Sequence, residues 1–173
     1  HAKAAKVPIV VAINKCDLPE ADPQKIKNQL LEHELIAEEL SGDTLMVEIS
    51  TKTKKNLDKL IESIVLQAEI LDLKTDFDSK AAGIVLESKI DIGRGPVATV
   101  IITSGTLKKG DYFVSGVKWG KARALINDLG KNINEALPAS PVEILGINGA
   151  AKAGDDFLVL DNEREAKSLA EAR

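Results

Sequence analysis

The sequence predicts an α/β unit over residues 1–71 followed by an all-β barrel over residues 81–161. In the first stretch, two apolar runs alternate with segments of helical period, which is typical of an α/β fold. In the second, short β-rich runs are separated by glycine-containing turns with no amphipathic helix between them, which is typical of a small closed barrel. Residues 72–80 are polar and charged, so we expect a linker there, and residues 162–173 are expected to form a terminal helix.

The composition is that of a folded protein and excludes several classes of function. Hydrophobic residues make up 44% and charged residues 29% of the 173, so a packed core is expected. The net charge of −4 argues against a protein that wraps nucleic acid by charge alone, although it leaves room for a local basic patch, and we expect no DNA partner. The single cysteine, Cys16, excludes an internal disulfide, and two histidines are too few for a histidine metal cluster. No apolar run approaches the roughly 20 residues that cross a bilayer, so we expect a cytoplasmic protein with no membrane partner.

The first unit reads as strand, helix, strand, helix. Residues 7–13 form an apolar run that predicts a strand buried on both faces, and 45–49 predict a second. Asp22 and Pro23 predict the start of a helix that keeps its charged side chains, Lys27 included, in solvent. Asn56 is expected to cap a second helix packed on a sheet. Its apolar positions recur at helical period: Leu57, Leu60, Ile61, Ile64, Val65, Ala68 and Leu71.

The second unit carries six runs that predict strands. Turn signals such as Lys109-Gly110-Asp111 separate them. A cap at Asn162 predicts the terminal helix. The predicted strands are residues 83–92, 97–103, 112–114, 121–127, 142–147 and 157–160.

The strongest chemical signal is Asn14-Lys15-Cys16-Asp17, directly after the first predicted strand. The Asp17 carboxylate can accept two hydrogen bonds from the N1 and N2 edge of guanine, which adenine cannot offer, and a bond to a charged group contributes about 1.5–3 kcal/mol. Asn14 can bond the purine N7, and the stem of Lys15 can lie over the base. The alternative is an ordinary polar turn at a helix entry.

A second polar loop, Ser50-Thr51-Lys52, favours the guanine-binding interpretation. It also follows a predicted strand and precedes a helix. Ligands of open α/β sheets bind at the carboxyl ends of adjacent strands, where both loops are expected. The backbone N–H groups of the second loop could then donate to guanine O6.

These loops resemble the fourth and fifth sequence motifs of GTPases, and the whole chain resembles bacterial translation initiation factor 2. The resemblance implies part of a P-loop GTPase-type G domain followed by a barrel like the second domain of translational GTPases such as elongation factor Tu. Family members often have Ser-Ala-Lys where this chain has Ser50-Thr51-Lys52. The further matching stretches are residues 1–5 (HAKAA), 19–23 (PEADP), 66–70 (LQAEI), 93–100 (GRGPVATV), 105–111 (GTLKKGD) and 141–146 (PVEILG).

The resemblance implies a fragment of a GTP-dependent factor that promotes placement of initiator tRNA on the small ribosomal subunit and subunit joining. The implied partners are the ribosomal subunits and ribosomal RNA, with the initiator tRNA held by a domain outside this chain. The alternatives are another translational GTPase of the elongation-factor type, or a purely non-catalytic ribosome- or RNA-binding module.

Motifs for phosphate chemistry are absent from the sequence. It contains neither a Gly-x-x-x-x-Gly-Lys-Ser/Thr loop nor the family's Asp-x-x-Gly element. We therefore assign no catalytic and no metal-binding residue, and expect the groups that hold Mg²⁺ and hydrolyse GTP to lie upstream of His1. The longer protein is expected to bind GTP and GDP, and this segment alone to be inactive and to hold neither tightly.

A basic stretch in the barrel is a candidate contact with ribosomal RNA. Six basic residues between 108 and 131 face only Asp111 and Asp128, with the single tryptophan among them. The alternative is an ordinary solvated face, with Trp119 covering one end of the core. The candidate contacts are Lys108, Lys109, Lys118, Trp119, Lys121 and Arg123, with Lys131 nearby.

Overall fold

The computed structural model describes residues 1–173 and divides them into two compact units, His1–Leu73 and Lys74–Arg173. In the first unit, β1 (Val10–Ile13) and β2 (Leu45–Glu48) pair in parallel, with Val10 opposite Leu45. The helix α1 (Pro23–Leu31) and a 3-10 turn (Glu38–Leu40) connect them, and α2 (Leu57–Leu71) follows β2. The predicted order of strand, helix, strand, helix is confirmed.

The start of α1 is confirmed, but the solvent position predicted for Lys27 is wrong. Asp22 Oδ1 accepts a 3.1 Å hydrogen bond from Lys25 N, and proline occupies the first helical position. Lys27 is buried, with its Nζ 2.8 Å from Glu39 Oε2 and 3.2 Å from Glu48 Oε1. A buried ammonium is tolerated only when paired, and these two carboxylates raise its pKa, Glu39 most strongly.

Burial in the first unit is less complete than the sequence predicts. The first strand begins at Val10 rather than residue 7, and only Ile13 of β1 is buried. No residue of α2 is buried, and Ile70 is 69% exposed. Two short strands offer too little surface to cover a helix of 15 residues, although the helix has the predicted apolar period.

Asn56 stands before α2 but does not cap it. Its backbone is left-handed at φ +56°, and its side chain makes no hydrogen bond to the helix. Instead, Nδ2 donates to the Glu48 carbonyl at 2.9 Å. Asn56 thus ties the start of the helix to the end of β2.

The second unit contains nine strands: β3 Ala82–Asp91, β4 Gly95–Ser104, β5 Leu107–Lys108, β6 Tyr112–Ser115, β7 Lys118–Asn127, β8 Asn132–Ile133, β9 Glu135–Ala136, β10 Pro141–Ile147 and β11 Asp156–Leu160. Six of them form a closed antiparallel barrel in the order β10-β4-β3-β11-β6-β7, with β7 pairing back to β10. The short β8 pairs with β7, and the short β5 and β9 pair with each other. The predicted barrel and its six strands are confirmed to within a few residues, whereas the three strands of two residues each were not predicted.

The barrel is filled by aliphatic side chains around two aromatic rings. Phe113 and Phe157 are fully buried, with ring centroids 5.0 Å apart. The barrel closes where β10 passes β7, and the pairing register shifts between Leu145 and Ile147. Gly146 occupies this irregularity at φ +111°, and a side chain there would overlap the Lys121 carbonyl. Glycine is therefore required for this closure.

The predicted linker is not a free connection over its whole length. Thr75 Oγ1 donates to the Thr103 carbonyl at 2.8 Å, and Thr106 Oγ1 donates to the Phe77 carbonyl at 2.8 Å. The N–H of Gly105 donates to the Asp76 carbonyl at 2.6 Å. Residues 75–77 thus lie along the barrel, within the second unit.

The predicted terminal helix is confirmed as α3 (Glu163–Ala172). Asn162 Oδ1 accepts from Glu165 N at 2.9 Å, which caps the first turn. Ala166 and Ala170 are buried where the helix contacts β6, β7 and β11. None of the three α-helices combines the length and apolar character needed to cross a bilayer.

Candidate functional site

The two loops named from the sequence lie side by side. One follows β1 and the other follows β2, and because the strands are parallel neighbours, both leave the same edge of the sheet. Two backbone bonds join them: Ile49 N to the Ile13 carbonyl at 2.8 Å, and Cys16 N to the Ile49 carbonyl at 3.1 Å. The first loop contains Asn14, Lys15 and Asp17, and the second contains Ser50, Thr51 and Lys52.

The Asn14 side chain bridges the loops. Its Oδ1 accepts from Lys15 N at 2.7 Å and from Thr51 N at 3.1 Å. Its Nδ2 donates to Thr51 Oγ1 at 3.3 Å. The carboxamide is therefore fixed by its own loop on one side and by Thr51 on the other.

Asp17 and Ser50 make a second bridge. The Ser50 hydroxyl is fully buried and donates to Asp17 Oδ1 at 2.7 Å, while accepting from Thr53 N at 3.2 Å. The hydrogen bond from Ser50 is the main cause that lowers the pKa of Asp17, and the positive charge of Lys52 contributes less. Asp17 is thus an exposed carboxylate, oriented through one oxygen, with lone pairs left for further donors.

The remaining members of the loops are open to solvent or half-buried. Lys15 is exposed and has a left-handed backbone at φ +61°, and the side chain of Lys52 is exposed. Cys16 is half-buried, and its Sγ donates to the Ile13 carbonyl at 3.2 Å. No group of three or more histidine, cysteine, aspartate or glutamate side chains is arranged to hold a metal ion.

Two supporting contacts of this site were not predicted from the sequence. The Thr51 hydroxyl contacts Asn14, whereas the sequence argument used only backbone donors of the second loop. Lys27 joins α1 to Glu48, two residues before Ser50. A lysine at a helical position otherwise facing the sheet is the signal that could have identified the second contact.

The candidate RNA-contacting residues do not form one cluster of like character. Trp119, Lys121 and Arg123 alternate along β7 and so share a face, and Lys121 Nζ lies 5.3 Å from the centre of the Tyr112 ring. Lys118 is half-buried beside Gly149. The exposed basic character of β7 therefore rests on two side chains.

Lys108 and Lys109 lie on β5 and in the turn after it. The N–H of Gly110 donates to the Ala122 carbonyl at 2.8 Å, which brings this turn alongside β7. Lys108 is opposite Glu135, and its N–H donates to Asp111 Oδ2 at 2.9 Å. Acidic neighbours thus make Lys108 the weaker candidate for a phosphate contact.

Two family models match the chain, one for each unit. The model of the elongation factor Tu GTP binding domain matches residues 1–69. The model of elongation factor G domain 2 matches residues 80–160. Both matches agree with the fold seen in the corresponding unit.

Similar solved structures share this fold. The chain matches GDP-bound aIF5B from Aeropyrum pernix with a TM-score of 0.79 at 23% identity, over 99% of this chain and 37% of that one. It matches a bacterial selenocysteine-specific elongation factor EF-Sec with a TM-score of 0.66 at 20% identity, over 91% of this chain and 27% of that one.

Curated relatives are much closer in sequence. Translation initiation factor IF-2 of Pelagibacter ubique is 83% identical over all 173 residues, which span 24% of that protein. The factor of the same name from Cereibacter sphaeroides is 57% identical over the whole chain, which spans 21% of it. The chain thus spans about a quarter or less of the length of these relatives. It belongs to the translation initiation factor IF-2 family and corresponds to the part in which a GTP-binding domain is followed by a β-barrel.

Proposed function

We propose that the first unit is the guanine-reading part of a GTP-dependent translation initiation factor. The observation that carries the proposal is the pair of bridges, Asn14 to Thr51 and Asp17 to Ser50, which hold two polar side chains at one edge of the sheet. Discrimination between bases needs hydrogen-bonding side chains that are held in place, because a wrong base leaves those side chains buried and unpaired.

The hydrogen-bonding capacity of the loops matches guanine. The free lone pairs of Asp17 accept from the N1 and N2 donors of the base, and the second N–H of Asn14 Nδ2 donates to N7. Adenine presents no donor at N1 and no amino group at C2, so the carboxylate would be left without partners. The Lys15 stem lies over the base plane.

Guanine O6 needs donors from the second loop. Ser50 N donates to the Lys55 carbonyl at 3.1 Å, and Thr51 N and Thr53 N donate to Asn14 and Ser50 side chains. The Lys52 N–H has no such acceptor in the structure. It is therefore the donor for O6, with the Thr51 N–H shared between Asn14 and the base.

The phosphates and Mg²⁺ of a bound nucleotide would be held by residues outside these 173. The donor set at the loops suits a purine base: Asp17 is directed by Ser50, and no second carboxylate is held with it to ligate a cation. The nucleotide's triphosphate supplies the hydrolysable bond, and this chain's contribution is to select and orient the base. We assign no catalytic residue here.

The longer protein is proposed to be a GTPase that acts in the cytoplasm on ribosomal subunits, promoting initiator tRNA placement on the small subunit and subunit joining. The names of the relatives, translation initiation factor IF-2, support this proposal over an elongation-type factor. The initiator tRNA would be held by a domain outside this chain.

A nucleotide titration of the 173-residue chain tests guanine reading. Excess GMP should shift backbone amide resonances of residues 14–17 and 50–53, with weak affinity because the phosphate is not held, whereas AMP should not. Asp17→Ala should abolish the GMP shifts, and Asp22→Ala, at the nearby cap of α1, should leave them. Equal shifts with AMP would overturn the proposal.

For the barrel, we propose a contact with ribosomal RNA through Trp119, Lys121 and Arg123. Each phosphate contact makes the slope of log K against log salt more negative by about 0.7–0.9. The double substitution of Lys121→Glu and Arg123→Glu should weaken binding of the chain to small subunits at low salt. It should also make that slope less negative by about 1.4–1.8, which corresponds to two lost contacts. Lys108→Glu is the matched control and should change it little. Binding that is unchanged by the double substitution would leave an ordinary solvated face.

A further inference from the structure

We propose that Thr51 is a positioning residue for base recognition: its hydroxyl fixes the Asn14 carboxamide so that one N–H of Nδ2 points to guanine N7. The proposal rests on the proposed function of the two loops. Alanine at this position would offer the same backbone N–H without the hydroxyl. The proposed role therefore depends on the threonine side chain that this chain carries.

The orientation of the Asn14 amide follows from its acceptors and donors. A carbonyl oxygen has two lone pairs, and Oδ1 uses them for Lys15 N at 2.7 Å and Thr51 N at 3.1 Å. The reversed amide would place Nδ2 against two N–H groups, donor against donor. Nδ2 is therefore on the side of the Thr51 hydroxyl, and its role can only be to donate.

The Thr51 hydroxyl supplies the third point that defines the plane of the amide. Oγ1 accepts from Nδ2 at 3.3 Å, a shorter approach than the 3.5 Å between Oγ1 and Oδ1. Two hydrogen bonds to Oδ1 alone fix the position of that oxygen but leave the plane of the amide free to turn about it. With one Nδ2 hydrogen on Thr51, the other is directed away from the loop and remains for the base.

Other side chains do not provide this restraint. The hydrogen bonds of Asn14 are made only to its own neighbour Lys15 and to Thr51, and both loop residues are exposed. Ser50, the adjacent hydroxyl, is committed to Asp17 and Thr53. Each loop side chain thus has a separate partner: Ser50 orients Asp17, and Thr51 orients Asn14.

The test separates N7 recognition from general affinity. In the full-length protein, the dissociation constants of GDP and 7-deaza-GDP, which lacks the N7 acceptor, are compared for wild type, Thr51→Val and Thr51→Ser. Valine keeps the branched shape without the hydroxyl, and serine keeps the hydroxyl. A net hydrogen bond of about 0.5–1 kcal/mol corresponds to a factor of about two to five.

We expect Thr51→Val to weaken GDP about two- to fivefold and to leave 7-deaza-GDP unchanged, with Thr51→Ser behaving as wild type. Equal losses for both nucleotides would overturn the inference, because the hydroxyl would then act without reference to N7. A wild-type protein that binds GDP and ADP equally would instead refute the proposed guanine site.

A second readout needs no nucleotide. In the 173-residue chain, the side-chain amide protons of Asn14 should exchange with solvent faster in Thr51→Val than in wild type or Thr51→Ser, because one of them loses its acceptor. Unchanged exchange in the valine variant would show that the hydroxyl does not restrain the amide, whatever the nucleotide affinities are.

Discussion

Replacing Gly146 with alanine should destabilise the barrel strongly, because this residue sits where β10 crosses β7. Its φ of +111° is costly for an L-residue, by about 1–3 kcal/mol. The new methyl group would also overlap the Lys121 carbonyl oxygen and lie 3.1 Å from Arg123 Cγ. The strands must separate to relieve the overlap.

The expected loss follows from both effects. Weakening two ladder hydrogen bonds beside the shifted register costs about 1 kcal/mol each. With the backbone strain, the free energy of unfolding should fall by about 3–5 kcal/mol, a large part of the roughly 5–15 kcal/mol typical of a domain. The melting temperature of a unit this size should fall by more than about 12 °C.

The assay is urea unfolding followed by tryptophan fluorescence. Trp119 is the only tryptophan and lies on β7, so the signal reports on the barrel and not on the first unit. Gly154→Ala is the matched control: its φ is +88°, but a methyl group there meets nothing within 4 Å, so only the backbone cost of about 1–2 kcal/mol remains. Equal losses in the two variants would refute the reasoning about closure.

Three smaller substitutions test other features of the two units. Ser115→Ala should raise the free energy of unfolding of the barrel by about 1 kcal/mol, because the buried Ser115 hydroxyl has no hydrogen-bond partner; a loss in urea unfolding would show that the hydroxyl is satisfied. Ala139→Gly should stabilise the barrel by up to about 1 kcal/mol, because Ala139 is exposed at φ +64°; destabilisation in the same assay would contradict this. Ser50→Ala should raise the pKa of Asp17 towards its usual value, measured by NMR titration of the carboxyl carbon. Because the folded pKa of Asp17 lies below the unfolded value of 3.8, the bond stabilises the fold above that pH and is lost as the pH falls through the folded pKa; an unshifted titration in the variant would remove Ser50 as the cause.

Local signals in the sequence predict where elements begin. The start of α1 at Pro23 is set by the cap residue Asp22, and the start of α3 by the cap residue Asn162. Each cap accepts a hydrogen bond from the backbone N–H three residues further on, which for Asn162 is that of Glu165. Both starts are found in the structure. Glycine turns likewise locate the barrel strands. Strands of two residues carry no such signal, because their pairing depends on partners distant in the sequence.

Contacts between distant residues explain what the sequence could not predict. Lys27 is buried because Glu39 and Glu48 converge on it from a 3-10 turn and a strand, which no periodicity indicates. The two candidate loops, by contrast, are adjacent as the sequence predicted, because their parallel strands pair. The Asn14–Thr51 contact spans 37 residues and depends on side-chain geometry, so the sequence located these residues but not their pairing.

The most direct test of guanine reading is the nucleotide preference of the full-length protein carrying Asp17→Asn. The change replaces an acceptor carboxylate by a carboxamide that also donates, and so matches xanthine, which has a carbonyl oxygen in place of the C2 amino group. For GDP, the charge-assisted bond from the C2 amino group, of about 1.5–3 kcal/mol, is replaced by donor against donor, and the bond from N1 becomes a weaker neutral one. The affinity for GDP should therefore fall roughly a hundredfold. Binding of xanthosine diphosphate should rise. A variant that binds GDP as tightly as wild type would contradict the assignment of Asp17, and with it the central claim that these loops read guanine.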